Sequence, residues 1–327
     1  MHEKSLTARK KVAPWRGGVH NPCMTDVFPV HIDAERCTGC GLCVAACPAD
    51  TLELKAERAT IATPACMACG HCAALCPTGA ITVTAPRNAP LAFRTLATPE
   101  QWLPHGRFDL GALVQLMRSR RSCRNYTDAP VSRALLDDLV KIGTTAPSGT
   151  NSQGWSFTIL PERAGVVILG EAVADYFRRL NRLASRPLLR HLLAWCGKPA
   201  LEQYYRRHYA TTTKALAEWD EEGRDRLFHG ATAVILIGGR NTASCPAEDA
   251  LLASQNILLA AHAMGLGSCL IGFAVEAMRR EPQIAARLGI PAGETIYSVI
   301  ALGWPAHRYQ RLTGRRPIEP RWFPPSR

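Results

Sequence analysis

The sequence predicts an α+β chain in two parts: a small duplicated unit, followed by a larger domain with a mixed α/β sheet and flanking helices. Three observations carry this. A cysteine pattern occurs twice, 29 residues apart, near the start of the 327-residue chain. Helical and strand periodicities then alternate from about residue 107 onward. Between the two lies a stretch with Pro86, Pro90, Pro99 and Pro104 and little periodicity, which reads as a linker. The expected organisation is a basic tail (1–30), the duplicated unit (31–84), the linker (85–106) and the larger domain (107–327).

The first copy of the pattern is Cys37, Cys40, Cys43, Cys47 and Pro48; the second is Cys66, Cys69, Cys72, Cys76 and Pro77. In such a C-x-x-C-x-x-C-x-x-x-C-P run three close thiolates serve one [4Fe–4S] cubane, and the fourth cysteine reaches the other cubane. The spacing therefore predicts two clusters, one on Cys37, Cys40, Cys43 and Cys76, the other on Cys66, Cys69, Cys72 and Cys47. The repeat extends past the cysteines, since Leu52 and Leu54 recur as Ile81 and Val83, alternating positions of a short strand. So small a unit buries little apolar surface, and metal–sulfur bonds must hold it together. A pair of zinc knuckles is the alternative, although zinc favours longer gaps and often histidine. His71 lies inside the second run, but Leu42 stands at the matching place in the first. The duplicated segment resembles bacterial two-cluster ferredoxins along its whole length.

At 47% hydrophobic and 20% charged, the composition falls within the ordinary globular range. No apolar run reaches the roughly 18 residues that a membrane span needs, and no apolar segment follows the early basic residues as a secretory signal would. Unpaired cysteines and thiolate clusters suit a reducing cytoplasm. The formal charge of +12 falls to about +8 once two dianionic clusters are counted. The basic excess lies in the N-terminal tail and the Arg-rich C-terminus, with no contiguous stripe carrying stacking aromatics, so nucleic-acid binding is not expected. Of the other five cysteines, Cys196, Cys245 and Cys269 read as small buried hydrophobes, and Cys123 as a space filler.

In the larger domain, Asp109–Met117 has one apolar face, and Ser132 can cap a second helix carrying Leu135, Leu136, Leu139 and Val140. Ser156–Leu160, Ala233–Ile237 and Ile296–Leu302 read as strands, the middle one buried on both faces. Leu251–Met264 reads as a buried helix. Residues 177–229 are helical and rich in arginine and aromatics, and are expected to form an inserted lid or dimer-contact segment.

Three constellations stand out. Arg120, Arg121, Ser122 and Arg124 at a helix end can clamp a phosphate through fixed guanidinium charge, or can simply be a solvated basic helix end. Pro147 to Trp155 packs hydroxyls and amides into one loop before a strand, a set that can read the edge of a polar heterocycle. Gly265–Gly272 is a glycine-rich turn that follows a helix, with Leu270 where a dinucleotide fingerprint needs its third glycine.

Together and in this order, the R-R-S-x-R run, the P-S-x-x-N-x-Q-x-W loop and the G-L-G-x-x-x-I-G turn resemble the FMN-dependent nitroreductase family over roughly residues 108–320. The resemblance implies FMN, with Arg120, Arg121, Ser122 and Arg124 on its phosphate and ribityl chain. It implies that Pro147, Ser148 and Gly149 touch the flavin from the partner subunit of a homodimer, with Asn151 and Gln153 nearby. It places the backbone N–H groups of Ile271 and Gly272 near the flavin N5, and brings Arg315 and Arg316 back to the phosphate. Gly154 stands where the family often has proline, which is expected only to loosen the loop.

The fusion predicts an oxidoreductase in which single electrons pass through two [4Fe–4S] clusters to FMN, which reduces a nitro compound, a quinone or a similar small acceptor. Reduced ferredoxin is the expected donor, and NAD(P)H the other candidate. An electron-transfer subunit of a larger redox complex is an alternative, as is a specialised flavoenzyme such as a reductive dehalogenase or a biosynthetic dehydrogenase. No side chain in the sequence demands the role of catalytic acid; Tyr204, Tyr205 and His208 read as surface or interface residues.

Overall fold

The computed structural model describes residues 29–84 and 91–323, so nearly all of the expected tail and residues 85–90 of the expected linker lie outside it. The chain forms two compact units, Met1–Ala89 and Pro90–Arg327.

In the first unit, β1 (Val30–Ile32) pairs antiparallel with β4 (Ile81–Val83), and β2 (Leu52–Lys55) forms a hairpin with β3 (Arg58–Ile61). The helices α1 (Leu42–Ala46) and α2 (His71–Leu75) pack together between them. The duplication is visible in the backbone itself. Gly41 before α1 has φ 73°, and Gly70 before α2 has φ 74°; Cys47 and Cys76 end the helices with φ −74° and ψ 114° alike. The shared extended step turns the fourth cysteine of each run away from its own triad. Gly39 (φ 68°) sits so close to the hairpin that an added Cβ would lie 2.1 Å from the Glu57 carbonyl oxygen. Its counterpart Ala68 takes the same left-handed region at φ 49°. The core is small: Val30, Leu52, Ala59 and Ile81 close on Cys43.

The second unit centres on a four-stranded sheet of order β5-β6-β8-β7, with β5 Trp155–Leu160, β6 Ala233–Arg240, β7 Gly267–Leu270 and β8 Glu294–Gly303. These strands are antiparallel throughout. A parallel bridge between Ser122 and Ser268 adds the segment after α3 (Leu110–Ser119) to the β7 edge. The Asp109 side chain caps α3 by accepting from Ala112 N at 3.1 Å, and Ser132 caps α4 (Arg133–Gly143) by accepting from Leu135 N at 3.3 Å. The Ser132 cap is the one the sequence predicts; the Asp109 cap is not singled out there.

Both faces of the sheet are covered, which is why β6 reads as an unbroken apolar run. Val234 and Leu236 face a core made with α5 (Arg163–Ala184) and α10 (Gly272–Arg280); Ala233, Ile235 and Ile237 face α4 and α9 (Pro246–Ala263). A bulge at Ile237/Gly238 leaves Tyr297 unpaired in β8 and switches which face the following residues meet. Ile296 accordingly joins the first core and Ile300 the second.

Several expectations need correction. Residues 267–270 are not a turn but the edge strand β7. The supposed insertion 177–229 does not begin at 177. The helix α5 starts at Arg163, and its Val166, Leu169, Val173 and Phe177 belong to the main core, as does Phe228. Beyond it lie α6 (Pro187–Trp195), α7 (Ala200–Tyr204), a π-helical turn (Tyr205–Tyr209) and α8 (Ala210–Glu222). The later part of the linker is tied down. The backbone N–H groups of Arg94 and Thr95 and the Thr95 hydroxyl all donate to the wholly buried Asp138 on α4, at 2.7–3.0 Å. Gly154 does more than loosen its loop, because a Cβ there would meet Ala243 Cβ at 2.8 Å. Cys269 and Cys123 are buried, but Cys196 is exposed and Cys245 only half-buried.

Candidate functional site

The eight cysteines of the first unit fall into two rings. Cys37, Cys40 and Cys43 line one cavity together with Cys76; Cys66, Cys69 and Cys72 line another together with Cys47. The grouping is the one the spacing predicts, with the fourth member crossing to the other repeat. Among the described residues, no three His, Cys, Asp or Glu side chains converge on one point as a mononuclear site requires.

Backbone amides are aimed at the sulfurs. Ala59 N donates to Cys37 Sγ at 3.4 Å, Thr51 N to Cys47 at 3.3 Å, Ala68 N to Cys66 at 3.3 Å and Ala80 N to Cys76 at 3.2 Å. The amides of Ala59 and Gly39 lower the Cys37 pKa, and the Thr78 hydroxyl leads in lowering that of Cys76. Burial raises the Cys47 thiol, but hydrogen bonds led by the Thr51 hydroxyl outweigh it and the net shift is downward. Burial dominates at Cys43 and Cys72, which are pushed up. Amide donors favour the thiolate, the form that binds iron.

In the second unit the basic run lies along the β7 edge. Cys123 N donates to Ser268 O at 2.9 Å, fixing the run to the strand. Cys123 itself is buried against Gly267, where a Cβ would lie 2.7 Å from its sulfur. The run divides between two cavities. Arg120 and Arg121 line one of 400 Å³ with Ser268 and the C-terminal arm at His307–Leu312. Arg124 lines one of 840 Å³ with Ile271 and Gly272. Burial, then the charges of Arg121 and Arg315, lower the Arg120 pKa. Among the described residues no carboxylate forms an ion pair with Arg120, Arg121, Arg124 or Arg315, and the buried Ser268 hydroxyl has no hydrogen-bond partner. Uncompensated guanidinium groups beside an unsatisfied hydroxyl make a site that wants an oxyanion. Arg316 lies in the exposed arm.

The expectation at Ile271 needs correction. Its N–H is engaged with the Val299 carbonyl at 2.8 Å, as the next rung of the sheet. Gly272 opens α10, where the first N–H groups have no intrahelical acceptor. Of the two, Gly272 is the one able to offer a backbone donor.

The Pro147–Trp155 loop is anchored on the buried Asp249 in the first turn of α9. Gly149 N donates to Asp249 Oδ1 at 2.9 Å and Ser152 Oγ to Oδ2 at 3.2 Å. Gln153 N donates to Ser148 Oγ at 3.0 Å, and Gln153 Nε2 to Asn151 Oδ1 at 3.0 Å. Thr150, Asn151 and Gln153 all have positive φ (51°, 54°, 47°). The loop precedes β5, at the opposite edge of the sheet from β7, and none of its residues lines either cavity. Within one chain, Arg120, Arg121 and the C-terminal arm line one cavity and Arg124, Ile271 and Gly272 line another, while Pro147, Ser148, Gly149, Asn151 and Gln153 line neither.

The larger cavity also holds residues the sequence did not single out. His229 reaches it from a left-handed backbone (φ 59°). The Asp225 carboxylate accepts from the N–H groups of Leu227, Phe228 and Gly230 and pairs with Arg163 at 2.7 Å, holding that turn. Burial lowers the His229 pKa, helped by Arg124 and Arg226 and opposed by Asp225. Asp225 five residues before Gly230 is a capped-turn signal that marks the bend, though not its direction. Tyr204 and His208 also line the cavity, but the Tyr204 hydroxyl is turned to Asn181 Oδ1 at 2.6 Å. Tyr205 lies instead under the Arg190 guanidinium, 3.5 Å from its ring centre.

Comparison with known proteins agrees with this geometry. Residues 117–304 match the nitroreductase family, and residues 29–77 match a 4Fe-4S dicluster domain. The chain is 24% identical to a 4-nitrobenzoate reductase of a Nocardioides species, over 64% of this chain and 87% of that protein. It is 26% identical to a nitrobenzene nitroreductase of Ectopseudomonas oleovorans, over 58% and 85% respectively. Among solved structures, an FMN-dependent nitroreductase from Clostridium difficile aligns at 20% identity and TM-score 0.45, covering 64% of this chain and 98% of that one. No helix among the described residues is long and apolar enough to cross a membrane. The chain belongs to the nitroreductase family of oxidoreductases, with a 4Fe-4S dicluster domain preceding the family's own.

Proposed function

We propose that this enzyme holds two [4Fe–4S] clusters and FMN and reduces nitro compounds, quinones or related conjugated acceptors in the cytoplasm. When bound, the clusters carry single electrons and the flavin collects them for two-electron delivery. Cys37, Cys40, Cys43 and Cys76 would hold one cluster, and Cys66, Cys69, Cys72 and Cys47 the other. Arg120, Arg121, Arg124, Ser122, Ser268 and Arg315 would hold the phosphate and its chain, and Gly272 N–H would face the flavin's reactive edge. The observation that carries the reading is the unpaired guanidinium cluster lying along the same strand edge as Gly272.

The remaining flavin contacts, from Pro147, Ser148, Gly149, Asn151 and Gln153, would come from a second copy. Two features support a homodimer. The loop is remote from the basic run within one chain, and large apolar side chains are exposed on α3 (Leu110, 69%) and on the C-terminal arm (Trp322, 76%; Phe323, 96%). Reduced ferredoxin is the proposed donor and NAD(P)H the alternative.

Anaerobic purification with cluster reconstitution tests the reading. Flavin absorbance and acid-labile sulfide are expected together, with turnover of nitroaromatics or quinones driven by dithionite-reduced methyl viologen. A colourless protein after reconstitution would overturn it. Reduction of the flavin by NADPH at the turnover rate, unaffected in a Cys40→Ser variant, would remove the clusters from the route.

A further inference from the structure

We propose that an apolar cavity between α5 and α8 is a subsite for the apolar substituent of the electron acceptor, whose reducible head lies in the larger cavity beside Gly272. The proposal rests on the functional reading above and narrows its substrate class to conjugated acceptors bearing an alkyl or aryl tail.

The cavity measures 330 Å³. It is a concave, solvent-accessible groove with a largely apolar lining, the kind of surface on which small apolar ligand groups are held. Small residues produce it. Gly170 and Ala174 stand one turn apart on α5, and Ala215 lies opposite on α8. Trp219 closes over them, its ring 3.1 Å from where a Cβ on Gly170 would be. Glu218 also lines it and pairs with Arg226 and with Lys214, so the charges on this wall are satisfied by one another.

The larger cavity adjoins it. The two share Phe177, Leu227, Phe273 and Arg226 as a common wall. Phe273 follows Gly272 directly, and its ring meets Phe177 edge-on at 5.4 Å and His208 at 5.6 Å. It is 38% exposed although large and apolar. A head group placed beside Gly272 therefore lies next to Phe273, a residue of the wall that the two cavities share.

The test uses full-length wild-type protein, Ala215→Leu and Ala174→Leu. Either leucine fills the hollow without touching the basic run or Gly272. Titration calorimetry with non-reducible 4-alkylbenzoates, from methyl to hexyl, should show wild-type affinity rising by up to about fourfold per methylene. That rise should vanish in the filled variants. The KM for 4-alkylnitrobenzenes should fall in parallel for wild type alone, with kcat for nitrobenzene itself unchanged in all three. Affinity independent of chain length in wild type would overturn the subsite. So would chain-length dependence surviving in both leucine variants; two substitutions are used so that one folding failure leaves the other to decide. Chain-length-dependent binding with no flavin and no nitro reduction would leave the subsite standing and overturn the functional reading instead.

Discussion

Replacing Asp249 tests how the loop at the start of β5 is built. Its carboxylate receives Gly149 N–H and Ser152 O–H, and its own carbonyl accepts the Trp155 indole N–H at 3.1 Å. A hydrogen bond to a charged group contributes about 1.5–3 kcal/mol. Asp249→Ala removes two of them, about 3–6 kcal/mol, and leaves the Gly149 N–H without its acceptor. The same loop holds Thr150, Asn151 and Gln153 in left-handed conformations, each costing of the order of 1 kcal/mol or more. Without its anchor the loop relaxes toward ordinary backbone angles and moves the surface proposed to meet the flavin. If about 3 kcal/mol of that loss falls on binding, FMN affinity drops about 100-fold. Asp249→Asn keeps an oxygen for Gly149, while its amide can donate to the Ser152 hydroxyl, so it should stay within about fivefold of wild type. Titration of apoprotein with FMN, followed by quenching of flavin fluorescence, measures both. Wild-type affinity in Asp249→Ala would refute the reasoning, because the loop would then be either self-supporting or irrelevant to the flavin.

Three further outcomes follow from the geometry. Cys47→Ser should disturb the same cluster as Cys66→Ser, and Cys76→Ser the same as Cys37→Ser, read by iron content and electron paramagnetic resonance; signatures that group by sequence repeat instead would contradict the crossed arrangement. Asp138→Ala strands the N–H groups of Arg94 and Thr95 and should cost about 3 kcal/mol or more, lowering Tm by roughly 10 °C, with early proteolysis near residues 91–100; an unchanged melt would show that this segment is not anchored through Asp138. Burial alone would raise the Asp138 carboxyl, but hydrogen bonds from Thr95 and Arg94 outweigh it and hold the pKa below the ordinary value. Its contribution is therefore complete above the unfolded pKa of about 3.9 and fades as pH falls through the folded value. The Tm difference between wild type and Asp138→Asn should stay flat from pH 7 to 5 and close below about pH 4.

Local chemistry was legible in the chain. The cysteine spacing implies its own crossed grouping, because the proline and the three-residue gap set the direction of the fourth thiol within a single helical turn. Ser132 marks a helix start through a bond spanning three residues. The unbroken apolar run of β6 announces a strand covered on both sides. Other features escaped for one shared reason. Gly267–Leu270 has the composition of a turn and becomes a strand only by pairing with Leu302 and Ala301 on one side and Ser122 on the other. Ile271 loses its free N–H to Val299 through that same pairing. His229 points into the cavity because Asp225 and Arg163, far apart in sequence, fix its turn.

The sequence by itself determined the repeated cysteine pattern of a 4Fe-4S dicluster domain, the basic run, and the helices and strands whose signals lie within a few residues. Only the tertiary structure decided that the basic run and Gly272 share one sheet edge while the Pro147–Trp155 loop occupies the other. It also decided that a hollow opens between α5 and α8. Strand order and cavities are set by packing between residues tens to more than a hundred positions apart, and no local pattern encodes them.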